Sequence, residues 1–289
     1  MPELPEVETV KNGLAPVMQG ARFIKVELRR ENLRFPFPDR FVERLIGWRV
    51  SSLERRAKYL LLHLTSGETL VIHLGMTGRF FIEKQGHEGA PGEFYYTLNN
   101  IPAHDHVVFD LDLGGDGFAR VTYNDVRRFG FMDLIETDRL PESSHFAGMG
   151  PEPLGNQFSE AALSEALAGR KTPVKQALLD QRIVAGLGNI YVCEVLYRAG
   201  ISPRRKAATV SGKRAARLAP AIREVLSEAI AAGGSTLRDY AGANGELGYF
   251  QHNFSVYDRE GKACDTCGSS VQRIVQSGRS TFFCGTCQR

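Results

Sequence analysis

The sequence predicts a multi-domain α+β protein: an N-terminal helix with a β-sandwich, a helical domain, and a C-terminal four-cysteine zinc-finger β-hairpin. Three observations predict it. Between Phe23 and Tyr123, short alternating or apolar runs recur at the spacing of a sandwich or barrel. Beyond Met149-Gly-Pro-Glu-Pro-Leu154, a stretch that breaks regular structure, apolar residues recur at helical spacing. The chain then closes on Cys264-Asp-Thr-Cys267 and Cys284-Gly-Thr-Cys287, two Cys-x-x-Cys knuckles with sixteen residues between them.

In order, Val7 to Met18 is helical in pattern, with Val7, Val10, Leu14 and Val17 on one face. Pro5 suits its first turn, and Glu6 and Glu8 complement the positive helix terminus. Strands follow at 23–28, 49–55, 59–64, 69–74, 80–82, 106–111 and 119–123. Residues 85–103, rich in Gly and Pro, read as a loop inserted in the sheet. Helices are expected at 160–168, 173–180, 190–199 and 212–232. In the last segment, 272–275 and 279–283 read as two strands joined by Gln276-Ser277-Gly278. We place the domains at 2–135, 155–250 and 255–289, with 136–154 as the linker.

Each knuckle brings two thiolates to one ion, and four complete the tetrahedral shell of a structural zinc site. Two disulfides are the alternative, disfavoured because nothing suggests export: the N-terminus lacks a basic, then apolar, then small-residue order. No apolar run approaches the roughly 20 residues a membrane helix needs. We therefore expect a cytoplasmic protein with no membrane contact and one structural zinc on Cys264, Cys267, Cys284 and Cys287. At 289 residues, 43% hydrophobic and 24% charged, the chain is long enough for two cored domains. Its net charge of +3 conceals an asymmetry, −5 over residues 1–170 and +8 over residues 171–289. A basic C-terminal half points to a polyanion.

Chemistry is best sought at Met1-Pro2-Glu3. Removal of Met1 would leave Pro2 as a secondary amine, which attacks an aldehyde to give an iminium that is positive without a proton. Such an iminium is an electron sink for elimination at the adjacent carbon, and Glu3 beside it is placed to shuttle protons. On these residues alone, Pro-Glu-Leu-Pro-Glu also reads as no more than a helix start.

The segment Met1-Pro-Glu-Leu-Pro-Glu-Val-Glu-Thr-Val10 resembles the N-terminus of the bacterial formamidopyrimidine-DNA glycosylase (8-oxoguanine-DNA glycosylase) family. So do Arg56-Ala-Lys-Tyr-Leu60, His73-Leu-Gly-Met-Thr-Gly78, Tyr123-Asn-Asp-Val-Arg-Arg-Phe-Gly130, Gly148-Met-Gly-Pro-Glu-Pro153, Gly186-Leu-Gly-Asn-Ile-Tyr191, Gly248-Tyr-Phe-Gln251 and the finger with Gly278-Arg-Ser-Thr281. Singly these are weak; in this order along nearly the whole chain they are specific. The resemblance implies a bifunctional base-excision-repair glycosylase and abasic-site lyase acting on oxidised purines in duplex DNA, with a helix–two-turns–helix domain. Pro2 matches the family's nucleophile, Glu3 its general acid and Glu6 a supporting carboxylate. Lys58 and Arg279 match phosphate-contacting cations assigned to β- and δ-elimination. Met76, Arg127 and Phe129 resemble the trio that fills the gap of an everted base, and unaided Met76 or Phe129 would read as core. His73, His104, Arg170 and Asn189 match DNA-contacting positions, and Ala241–Leu247 resembles the flexible lid over the everted base.

The implied partner is damaged double-stranded DNA, met by a monomer without a nucleotide cofactor, at the nucleoid of a bacterial cell. Val126 departs from the proline many members carry there. Two other readings stand beside this one: an endonuclease VIII-like glycosylase for oxidised pyrimidines, and a non-catalytic zinc-finger DNA-binding protein. Leu4 with Arg127-Arg128-Phe129 favours the purine branch. The intact Pro2-Glu3 pair, which a mere binder has no need to retain, favours an enzyme.

Overall fold

A computed structural model describes residues 2–85, 101–115, 117–235 and 249–289. The chain divides into two compact units, residues 1–147 with 233–248, and residues 148–232 with 249–289.

The first unit opens with α1 (Leu4–Met18), which buries Val7, Val10, Leu14, Val17 and Met18, the stripe its 3.6-residue period sets against the sheets. Strands β1 (Arg22–Leu28), β5 (Arg79–Gln85), β6 (Asp105–Gly114) and β7 (Gly117–Asn124) form one antiparallel sheet in the order β1-β6-β7-β5. A second antiparallel sheet, β2-β3-β4-β8, holds β2 (Val50–Arg56), β3 (Tyr59–Leu64), β4 (Glu68–His73) and β8 (Phe131–Glu136). Their apolar faces share one core, with Phe23 and Phe109 edge-on at 5.5 Å and Leu60, Leu62, Leu70 and Ile72 fully buried. This is the expected sandwich with its helix. Two elements go beyond the sequence reading: β8, and the five-residue α2 (Phe41–Leu45), whose N-cap Arg40 takes a left-handed conformation. Within 85–103, residues 86–100 lie outside the described residues. Pro102–His104 form one 3₁₀ turn.

The second unit is helical and then metal-clipped. It contains α3 (Glu160–Leu167), capped by the Ser159 hydroxyl, α4 (Val174–Leu179), α5 (Asn189–Arg198) and α6 (Ala215–Ala231). Where one helix was expected from Gly212, the first turn is 3₁₀ and the α-helix starts at Ala215. The antiparallel pair β9 (Gln272–Gln276) and β10 (Arg279–Phe283) ends the chain. No helix among the described residues is long and apolar enough to cross a membrane.

Candidate functional site

Pro2 is buried at the mouth of α1, and Glu3 and Glu6 are each 2% exposed. The helix start explains why two carboxylates tolerate this burial. Glu6 Oε2 accepts the Glu3 backbone N–H at 2.8 Å, half of a capping box that satisfies orphan donors. Glu6 Oε1 accepts the backbone N–H and the hydroxyl of Ser235, at 2.8 and 2.9 Å. Glu6 is thus a fixed bracket, and its contribution is to hold the segment that carries Pro2 and Glu3. Gly234, at φ +79°, brings the Ser235 backbone against it; a Cβ there would lie 3.2 Å from Glu6 Cγ and Oε1.

Lys58 sits on the two-residue turn between β2 and β3 and is 7% exposed. The preceding Ala57 adopts φ 52°, the left-handed region a tight hairpin needs and an alanine resists. Arg55 stabilises that turn: its Nη1 donates to the Ala57 carbonyl at 3.0 Å while its Nε donates to Glu8 on α1 at 2.7 Å. Burial would raise the Glu8 carboxyl, but hydrogen bonds from Lys11 and Arg55 leave it below its ordinary value. One ion-pair chain therefore ties the Lys58 turn to the helix that begins beside Pro2.

His73, at the end of β4, lies in an aromatic box. Its ring stacks on Phe131 (5.4 Å, 7°) and meets Tyr59 edge-on at 5.0 Å, and Phe131 also stacks with His145 (5.1 Å). Nδ1 of His73 accepts the Gly75 N–H at 3.0 Å, so the neutral ring carries its proton on Nε2, as a donor. Burial, and then the charges of Lys58, Arg34 and His145, lower its pKa to about 4. An NMR titration is expected to find His73 neutral above pH 5; protonation near 6.5 would overturn the assignment. Because the folded pKa is depressed, the unfolded chain takes up this proton first. Stability should fall between pH 6.5 and 4, by up to about 1.4 kcal/mol per pH unit.

The turn after His73 and the loop 125–130 are fastened together by one buried carboxylate. Asp125, fully buried, accepts from the Thr77 hydroxyl, from the Gly130 N–H at 2.8 Å and from the Tyr123 hydroxyl at 3.3 Å. Thr77 Oγ1 in turn accepts the Arg127 N–H at 3.1 Å. Gly75 (φ +64°) has no room for a Cβ, which would strike the Phe129–Gly130 backbone. Met76, Arg127 and Phe129 are thereby presented from two touching loops. Phe129 is 43% exposed with the Arg127 guanidinium 4.7 Å over its ring, so it is not a core residue. His104 stands beside this loop, its carbonyl accepting the Asp125 N–H at 3.0 Å. Ala241–Leu247 lies outside the described residues.

In the second unit Asn189 is the first residue of α5, after Gly188. Lys175, fully buried, donates from Nζ to Asn189 Oδ1 and Thr281 Oγ1 (both 2.7 Å) and to the Ser280 carbonyl (3.0 Å). Asn189 Nδ2 donates to that same carbonyl at 3.0 Å. Arg279 is next to Ser280, exposed at the tip of a two-residue turn whose Ser277 and Gly278 both have positive φ. The structure thus brings Asn189 and the Arg279 strand together through a lysine whose bonds to both sequence reasoning did not foresee. Arg170, just past the end of α3, folds back on that helix, its Nε donating to the Ala166 carbonyl at 2.8 Å.

Cys264, Cys267, Cys284 and Cys287 place their sulfurs within 4.8 Å of one another. Zinc–sulfur bonds of about 2.3 Å in a tetrahedron require sulfur–sulfur edges of about 3.8 Å. The Cys264–Cys287 and Cys267–Cys284 separations are 3.9 and 3.5 Å, so the donor set fits one structural zinc ion. A buried carboxylate braces the module: Glu194 accepts the N–H groups of Ser255, Val256 and Tyr257 at 2.8–3.0 Å, while its burial raises its pKa.

Residues 1–132 match the family described as formamidopyrimidine-DNA glycosylase N-terminal domain, 149–241 the corresponding H2TH domain, and 261–289 a zinc finger found in FPG and IleRS. Curated formamidopyrimidine-DNA glycosylases of Chelativorans sp. (strain BNC1) and Rhodopseudomonas palustris (strain ATCC BAA-98 / CGA009) are 59% and 56% identical, over the full length of both chains. Among solved structures, the MutM (Fpg) protein of Thermus thermophilus is 38% identical with TM-score 0.84, covering 99% of this chain and 98% of that one. The Lactococcus lactis Fpg (MutM) in complex with DNA containing N7-benzyl-Fapy-dG is 33% identical with TM-score 0.85 over the whole of both chains.

Proposed function

Starting from the family to which this chain belongs, the formamidopyrimidine-DNA glycosylases, we infer how its residues share the work. The protein is a DNA glycosylase and abasic-site lyase that repairs oxidised purines; neither the pyrimidine-specific reading nor the non-catalytic one is favoured. The observation that carries the assignment of residues is the bracketed helix mouth, where Pro2 and Glu3 are buried side by side and Glu6 is committed to holding them.

In this reading the Pro2 amine attacks the sugar C1′ as the damaged base departs. Glu3 supplies a proton to the opening ribose, and the resulting iminium acidifies the adjacent carbon. Eliminations then expel first the 3′- and then the 5′-phosphate. A departing phosphate is stabilised by fixed cations, the part we assign to Lys58 and Arg279. His73 contributes a neutral hydrogen-bond donor to the backbone. Met76, Arg127 and Phe129 fill the gap of an everted base, where apolar wedges and an arginine suit the vacated stack. His104, Arg170 and Asn189 complete the DNA contacts, the last as the first residue of α5, where a helix N-terminus attracts phosphate. The zinc has no open position and shapes the finger only. One chain carries every group this scheme needs, so a monomer acting on nucleoid DNA in a bacterial cytoplasm suffices.

Borohydride trapping on duplexes bearing an oxidised purine, an oxidised pyrimidine or a plain abasic site tests the reading; failure to trap on the purine duplex would remove it. Glu3→Gln should lower excision of an intact damaged base by about a hundred- to ten-thousand-fold. Incision at a preformed abasic site should partly survive, since that aldehyde is already open to the amine. Equal losses on both substrates would reduce Glu3 to a helix cap.

A further inference from the structure

The segment after α5 carries charge that nothing in the site uses. From Ala199 to Arg223 there are seven Lys and Arg and no Asp or Glu. Arg204, Lys206, Lys213 and Arg217 are exposed, and among the described residues none of these four pairs with a carboxylate. The segment is rigidly placed. The Arg204 guanidinium lies 5.0 Å over the Phe283 ring, and Arg205 Nε donates to the Arg289 carbonyl at 3.3 Å. Val174 N–H donates to the Arg205 carbonyl at 2.7 Å, and Ala208 N–H to that of Arg170 at 3.0 Å. Gln276, directly opposite Arg279 in the hairpin, donates from Nε2 to the Pro203 carbonyl at 3.2 Å. Residues 203–208 are therefore tied to the Arg279 hairpin on one side and to Arg170 on the other, and Arg214 Nη1, donating to the Thr209 carbonyl at 3.4 Å, joins the start of α6 to the same stretch.

We propose that Arg204, Lys206, Lys213 and Arg217 form a second phosphate-binding track for duplex DNA flanking the lesion. The proposal rests on the assignment of Arg279 and Arg170 to the DNA interface. A loop of unpaired cations held against a phosphate-contacting tip lowers the energy of any polyanion that continues past that tip, at no cost in broken ion pairs. Because each neutralised phosphate releases counterions, the salt dependence of binding counts the contacts. The experiment compares wild type with Arg204→Gln/Lys206→Gln/Lys213→Gln/Arg217→Gln on a long duplex and on one reaching roughly one helical turn around the lesion. On the long duplex the slope of log K against log salt should fall by about two or more. On the short duplex slope and excision should match wild type, and the fourfold Lys or Arg exchange, which keeps the charges, should restore the long-duplex slope. An unchanged long-duplex slope would make the strip a solvated face. An equal loss on both lengths would fold it into the lesion site itself. Arg279→Ala, lowering the slope on both lengths, tests the underlying assignment separately.

A second inference comes from the far end of α5. The Tyr197 hydroxyl is 3.2 Å from Cys264 Sγ and 2.7 Å from Thr266 Oγ1. A zinc-bound thiolate has no proton to give, so the hydroxyl must donate to sulfur and Thr266 must donate to the hydroxyl. We infer that Tyr197 is a positioning residue for the zinc, withdrawing charge from one ligand and tying the metal to the helix that starts with Asn189. Tyr197→Phe keeps the ring and removes only the donor. With cobalt in place of zinc, its thiolate-to-metal charge-transfer band should shift, which loss of packing alone would not produce. Zinc transfer to a chelator should accelerate about ten- to a hundredfold. Thr266→Val should move the band less and in the same direction. An unshifted band with unchanged zinc release would overturn the role.

Discussion

Pro2→Gly is expected to abolish or severely impair borohydride trapping on oxidised-purine duplex while binding to that duplex persists. The variant still presents an amine, but a primary one. Its imine must hold an extra proton to become the electron sink that a proline iminium is from the start. The backbone gives no reason for proline at this position: helix α1 begins at Leu4, its first-turn proline is Pro5, and its cap is the Glu3–Glu6 pair. A change at Pro2 therefore touches chemistry and leaves the fold. The measurement is the rate of covalent trapping beside equilibrium binding, on protein whose mass shows Met1 removed. Strand cleavage at the wild-type rate would take the nucleophile's role away from Pro2.

How much of this was legible follows from where each signal lives. The seven strands read from sequence have alternating or continuous apolar runs, and the structure places them in the two sheets. Strand β8 escaped because Phe131-Met-Asp-Leu-Ile-Glu136 lies against the glycine of the 125–130 loop and gains its identity only by pairing with β4. Helix α2 escaped because five residues on a left-handed cap carry no period. The chemically distinctive side chains were legible from type and spacing, above all the four cysteines. The groups that position them were not: Asp125 reaches Thr77 across 48 residues, Lys175 reaches Thr281 across 106 and Ser235 reaches Glu6 across 229. A hydrogen bond of that span leaves no local pattern. Each is visible only once the fold has closed, and each fixes either a residue that chemistry had singled out, as with Glu6, or one within two positions of it, as with Thr77 beside Met76 and Thr281 beside Arg279.

The same distinction governs the finger. Cys267→Ser should lose the zinc, because a hydroxyl is a far poorer ligand than a thiolate and the ion supplies its module's folding energy. Apparent binding energies for such sites run to about 10–16 kcal/mol, more than a segment as short as residues 261–289 recovers by packing alone. Its loss should free β9 and β10, and with them the Ser280 carbonyl that Lys175 and Asn189 share, so DNA binding should fall at every salt concentration. Arg279→Ala should behave differently. Its side chain is exposed at the turn, so metal content and melting temperature should stay at the wild-type value. Binding and strand cleavage should weaken, and the salt slope should drop by about one. Zinc content, melting and binding at several salt concentrations, measured on both variants, separate the roles. If Arg279→Ala binds and cleaves like wild type, the tip is a solvated turn. If Cys267→Ser keeps its zinc and its affinity, the four-thiolate site is not what holds the hairpin against α5.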